Sequence, residues 1–256
     1  MILTPGFVYI HLPKTGGTFV TSVLERVLKP PRPATRFGRF LRRLRGRTWH
    51  DTNKHGTVSE IPSSHRGLPV LTTIRNPFDR CVSQYEFAWW KERTREWVDR
   101  EAIRREFPSF PDLSFPEFVE ASARHFPLLR GSPLPPERRL GYQSEQFVRT
   151  YFRDPAAAWS RIDDAWIAAR GWEGEMGPIR FLRMEYLNAD LHAFLREQGL
   201  PADRIDFVLT EGRILPAGPR RPEGRTWESW YTPELRARVR ERERLLFALF
   251  PEYDAP

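Results

Sequence analysis

Apolar residues cluster in three short runs along the chain, and each run is followed by a polar break and a helical pattern. The first run is Phe7-Val8-Tyr9-Ile10, aromatic and β-branched, which reads as a buried strand. Leu12-Pro13-Lys14-Thr15-Gly16-Gly17 interrupts it, and from Thr18 onward Phe19, Val23, Leu24, Val27 and Leu28 recur at helical spacing. The second run, Pro69–Ile74, ends in Arg75-Asn76-Pro77, and a helix starting near Phe78 places Phe78, Val82, Tyr85 and Trp89 on one face. The third, Pro178–Met184, precedes a helix over Leu187–Leu200 that stops at Gly199. Repeated strand, turn and helix predict an α/β fold with a central parallel sheet flanked by helices.

The middle of the chain is read as helical. Lys91–Glu106 is densely charged, and Ser114 with Pro116 and Glu117 marks a capped helix running to about Arg124. Pro127–Pro136 reads as loop, and Gln143–Phe152 and Ala156–Arg170 as short helices. Residues from roughly 91 to 175 are expected to form a helical lobe covering the sheet edge, inside a single domain spanning residues 1 to 256. Towards the end, Ile214–Arg225 holds three Pro and two Gly and is a basic, irregular loop. Thr232 and Pro233 then open a final helix through about Phe250.

Composition narrows the chemistry. Of 256 residues 40% are hydrophobic, including 18 Phe and 9 Trp, enough for a substantial core. Lys and Arg number 41 against 33 Asp and Glu, so the net charge of +8 favours anionic partners: a nucleotide, an acidic sugar, nucleic acid or a membrane surface. Part of the excess lies in Lys29–Arg47, which reads as a basic surface helix or loop. Cys81 is the only cysteine, which excludes an intrachain disulfide and a Cys-rich metal site. No basic n-region with an apolar h-region opens the chain, and no run approaches the ~20 apolar residues of a membrane span. A soluble cytoplasmic protein is the expectation.

The first turn carries the strongest chemical signal. A strand, a glycine turn and a helix start aim main-chain N–H groups and the positive end of the helix dipole at one spot, which attracts phosphate-like anions. Gly16 and Gly17 permit close approach or positive φ, Lys14 adds a mobile charge, and Thr15 and Thr18 add hydroxyls. Lys14 precedes the glycine pair, so this is not a Walker A loop, whose Lys follows the last glycine and is followed by Ser or Thr. The second turn supplies Arg75 at the carboxyl end of a strand, the edge where open α/β sheets bind ligands, with Ser83 about two turns into the next helix. A guanidinium fork and a hydroxyl suit a phosphate.

Pro13-Lys14-Thr15-Gly16-Gly17-Thr18 resembles the 5′-phosphosulfate loop of sulfotransferases that use 3′-phosphoadenosine-5′-phosphosulfate (PAPS). Arg75-Asn76-Pro77-Phe78-Asp79-Arg80-Cys81-Val82-Ser83 resembles their 3′-phosphate motif, a strand ending in Arg with Ser eight residues on. Lys54-His55-Gly56 and Glu60-Ile61-Pro62 are similar to a pattern in bacterial members grouped with carbohydrate 2-O-sulfotransferases. Arg183–Leu187 resembles the segment passing near the adenine, and the Pro- and Arg-rich loop before the last helix stands where the family has a covering loop.

The resemblance implies a P-loop-like sheet, PAPS as donor with PAP as product, and no metal. It also implies in-line transfer of a sulfuryl group to a hydroxyl or amine of a small-molecule, glycan or lipid acceptor. Lys14, Thr15, Gly16, Gly17, Thr18, Phe19, Arg75, Ser83 and Arg225 become the cofactor-binding set, with Lys14 also catalytic. Histidine titrates near neutrality and is the natural general base; the family position points to His55, with His50, His65 and Glu60 behind it. His11 is expected to pack under the loop.

Residues 85 to 175 carry no family signature, and acceptor choice is expected there; Trp89, Trp90 and Trp97 offer either a stacking wall or core. Two other readings exist: an ATP-dependent kinase or hydrolase, which needs the Walker order, and a basic nucleic-acid-binding protein, which lacks a motif here.

Overall fold

The computed structural model describes residues 1–28, 50–51, 53–92, 98–126, 139–212 and 224–254. Segment 29–47, residue Trp97, loop 127–136 and most of 214–225 lie outside the described residues.

In chain order the strands are β1 (Ile2–Leu3), β2 (Val8–Tyr9), β3 (His50–Asp51), β4 (Val70–Ile74) and β5 (Ile179–Arg183). Among the helices are α1 (Gly17–Leu28), α2 (Pro77–Phe87), α3 (Phe115–His125), α4 (Tyr142–Tyr151), α5 (Leu187–Glu197), α6 (Pro233–Arg242) and α7 (Arg244–Leu249). By residue contacts the chain groups into two compact units: Met1–Arg75 with Gly177–Pro216, and Asn76–Met176 with Ala217–Pro256. The helical unit is therefore larger than the insert expected at roughly 91–175 and starts with the residue after Arg75.

The first unit holds the sheet, in the order β3-β1-β2-β4-β5. Strands β2, β4 and β5 run parallel, as the three apolar runs predicted. The sheet is not wholly parallel: β1 pairs antiparallel with both β2 and β3. Thr4-Pro5-Gly6 makes this possible, because a short turn joins strands only in an antiparallel pair. Thr4 holds that turn, its hydroxyl accepting from Phe7 N and donating to Phe7 O.

The apolar stripe of α1, Phe19, Val20, Val23, Leu24 and Val27, packs with Tyr9, Leu71 and Leu182 of the strands and with Leu191, Phe194 and Leu195 of α5. Each such fully buried side chain is worth about 1.5–3 kcal/mol against exposure. This packing fixes where the residues between β2 and α1 emerge.

The second unit is helical with an aromatic interior: Phe78 lies 5.0 Å from Phe247, and Trp90 stacks on Phe118 at 4.5 Å. Three helices expected to be continuous are broken. α2 stops at Phe87, since Ala88 turns left-handed (φ 48°), so Trp89 leaves the Phe78 face. Ala156–Arg170 is two helices, Pro155–Arg161 and Asp164–Ala168, because Asp163 caps a new start by accepting from Trp166 N. The last helix breaks at Glu243, whose buried carboxylate turns back to receive Gln143 N, Ser144 N and Ser144 Oγ at the start of α4.

Candidate functional site

The segment between β2 and α1 leaves the sheet through strained backbone. Lys14 has φ 66° and Gly16 has φ +90°; a lysine in the left-handed region is uncommon and costs conformational energy that the surroundings must repay. The surroundings do so through Thr15, which is fully buried. Its hydroxyl donates to Leu12 O at 2.7 Å and meets Thr73 Oγ1 of β4 at 2.6 Å, pinning the turn to the sheet. Thr15 was expected to turn its hydroxyl to an anion; here that hydroxyl is engaged internally by Leu12 O and Thr73. Thr73, four positions into an apolar strand, gave no sign in the sequence of this pairing.

The glycine pair is held just as closely. A Cβ at Gly16 would meet Met184 Sδ at 2.5 Å and Leu187 Cδ2 at 2.7 Å. A Cβ at Gly17 would meet the His11 ring at 2.5 Å, from Cδ2, and 2.6 Å, from Nε2. The turn is thus backed by the Met184–Leu187 segment on one side and by His11 on the other. Gly16 O accepts from Phe19 N at 3.0 Å and Val20 N at 3.4 Å, so the helix begins at Gly17 and its first N–H groups open onto the turn. Phe19, expected among the cofactor ligands, buries its ring in the core and gives its N–H to Gly16. Gly17→Ala is expected to destabilise the protein by about 1–3 kcal/mol through overpacking on His11. The same change should weaken PAP binding; urea midpoints and PAP calorimetry on the variant check both.

Arg75 leaves the end of β4 and reaches the same turn: its Nη1 donates to Lys14 O at 3.4 Å. The two anion motifs read from sequence therefore meet through Arg75 within the first unit. Ser83 and Arg225 belong to the second unit. Ser83 is half-buried on α2, and the exposed Arg225 lays its guanidinium over the Trp230 ring at 4.0 Å and donates to Ser229 Oγ at 3.3 Å.

His55 also belongs to the first unit. Its Nδ1 lies 3.1 Å from His11 O, and the two imidazoles meet edge to face at 5.2 Å and 80°. A carbonyl oxygen only accepts, so Nδ1 of His55 carries the proton and the basic lone pair is on Nε2. His11 is buried, and burial chiefly, with the charges of His55, Lys54 and the amino terminus, depresses its imidazole to about 3. It is neutral at working pH.

Of the alternatives, Glu60 spends Oε2 on Thr57 N at 2.7 Å, and His65 bonds Ser64 Oγ through Nδ1 at 2.9 Å. His50 contributes its main chain to β3. Trp90 is fully buried with Nε1–H given to Pro111 O at 2.9 Å and is core, not a stacking wall; Trp89 is half-buried and packs on Phe126 and Tyr142. Among the described residues, no group of three or more His, Cys, Asp or Glu side chains is placed to hold a metal ion, and no helix is long and apolar enough to cross a membrane.

The chain was compared with known proteins. None of the curated proteins matches it. Among solved structures it is similar to mouse sulfotransferase SULT7A1 complexed with PAP, at 14% identity and a TM-score of 0.43, over 94% of this chain and 83% of that one. The family model described as the sulfotransferase family matches residues 3–167, more than half of the chain and the whole stretch from β2 to α4. This protein accordingly belongs to the sulfotransferase family, the enzymes that take their sulfuryl group from PAPS.

Proposed function

We propose that the chain transfers the sulfuryl group of PAPS to a hydroxyl, or an amine, of a carbohydrate or glycolipid acceptor, with His55 as general base. One observation carries this reading: the residue three positions before Lys14 holds His55 by its carbonyl, so a base and an anion-binding turn share one support. PAPS, when bound, supplies a sulfuryl group activated by its bridge to phosphate.

The turn fits an anion. Gly16 and Gly17 cannot bear a side chain, and left-handed Lys14 is kept against its own preference. In the proposal, the Lys14 ammonium and the N–H groups of Thr15, Gly16, Gly17 and Thr18 hold the sulfuryl-bearing end and stabilise the charge that develops on the departing oxygen. Arg75 holds a phosphate and, through Lys14 O, the shape of the turn. For Ser83 and Arg225 the proposed phosphate contacts rest on the sequence alone. Nε2 of His55 takes the acceptor's proton, its orientation set by the Nδ1–H bond.

The acceptor class rests on the likeness of Lys54-His55-Gly56 and Glu60-Ile61-Pro62 to carbohydrate-modifying members. Incubation with labelled PAPS and a panel of sugars, glycolipids, phenols and peptides tests it; label in phenols or peptides alone would refute it. His55→Ala should lose about 10²–10⁴-fold in turnover. Its PAP affinity should stay near the parent's by calorimetry, and turnover at the parental rate would remove His55 as base.

A further inference from the structure

We infer that His11 is a positioning residue for this reaction: its ring and carbonyl together hold His55 with the proton on Nδ1 and the lone pair on Nε2, and tie that base to the glycine turn. The inference rests on the reading of His55 as base, and goes beyond it.

The geometry is a stack of three parts. The Gly17 backbone lies against the Cδ2–Nε2 edge of His11 so closely that no Cβ fits between. The same ring meets His55 at 5.2 Å, nearly perpendicular. The His11 carbonyl receives Nδ1–H of His55. His55 is itself exposed, and an exposed imidazole in water exchanges between two tautomers unless a fixed partner selects one.

His11 is an expensive choice for mere filling. Its Nδ1 is buried without a hydrogen-bond partner, which an apolar side chain would avoid. What an imidazole supplies is a small flat ring that fits beneath glycine and meets His55 edge to face. Its neutrality matters too. The charged or titratable groups acting on it are His55, Lys54 and the amino terminus, and a second imidazolium 5.2 Å away would oppose the charge His55 gains on taking a proton.

The test is long-range proton–nitrogen NMR on protein labelled in its six histidine rings, free of nucleotide, at pH 8, with the His55 signals assigned by their loss in His55→Ala. The expected parental result is a protonated Nδ1 and a bare Nε2 at His55. Finding the proton on Nε2 overturns the inference without recourse to any variant. His11→Ala keeps the carbonyl but removes the ring that seats His55 against it, so the His55 signals should move towards a tautomer mixture, kcat should fall by up to about 10²-fold, and PAP affinity should change much less than kcat. An unchanged His55 tautomer in His11→Ala, with His55→Ala inactive, ends the inference and leaves the base reading standing. An active His55→Ala ends the base reading, whatever the tautomer.

Discussion

Lys14→Ala should lower sulfuryl transfer by about 10³-fold or more, equivalent to about 4 kcal/mol of lost transition-state stabilisation. The ammonium is the one full charge that the turn itself carries, and the turn holds it in backbone that lysine does not choose. Charge that grows on a departing oxygen is stabilised most by donors already in place. The loss should therefore fall on kcat more than on PAP affinity. Lys14→Arg should recover little, because a planar fork does not fit where a compact point charge is held.

Arg75→Ala should reduce transfer comparably but show the opposite split. On the proposed reading it removes a charged donor to phosphate, which should cost PAP affinity about 10–100-fold, and it releases Lys14 O, so the left-handed turn loses a support. Single-turnover transfer of labelled PAPS and PAP calorimetry on both variants separate the two effects. A Lys14→Ala enzyme with a tenth of parental turnover would show that the turn does not stabilise the leaving oxygen.

These residues were legible because they sit where periodicity changes. A continuous apolar run gives way to a 3.6-residue repeat at Gly17 and again at Pro77, and the polar residues between are few enough to be named. What stayed hidden depends on contacts far along the chain. The Thr15 hydroxyl looked like a ligand donor until Thr73, 58 residues on, was seen to engage it. The two-residue strands β1 and β3 are too short for any alternation to show, so the antiparallel edge of the sheet went unread. Trp90 offered a sugar platform by residue type, and only the Pro111 carbonyl and Phe118 ring reveal it as core. Met184 was read as part of a segment near the adenine, yet its sulfur also backs Gly16, a role with no local signature.

Glu243 is the clearest such case, and replacing it should produce the largest stability loss outside the site. The sequence reads one final helix from Thr232 and Pro233 through about Phe250, and nothing near Glu243 tells it from the charged residues around it. In the fold it is 5% exposed, and its carboxylate receives Gln143 N at 3.2 Å, Ser144 N at 2.7 Å and Ser144 Oγ at 2.7 Å. It thereby caps α4, whose own N-cap, Gly141, has no side chain to do so. Burial pushes the Glu243 carboxyl up, and the bonds from Ser144 and Gln143, with the charge of Arg80 last, pull it back.

Glu243→Ala leaves the Gln143 and Ser144 donors in a dry interior without their acceptor. Unsatisfied buried donors cost about 1–3 kcal/mol each, so a loss of about 3 kcal/mol or more is expected. Gln at 243 keeps the volume but presents only one accepting oxygen, so about 1–3 kcal/mol is expected. Urea unfolding midpoints at constant slope measure both. The contact itself is tested by Gly141→Ala, whose Cβ would fall on Glu243 Oε1. In the parent that substitution should be strongly destabilising; in the Glu243→Ala background its cost should fall sharply, leaving only the 3.1 Å approach to Arg242 Cβ. Additive losses across that double-mutant cycle would mean that Glu243 does not seat against the α4 start.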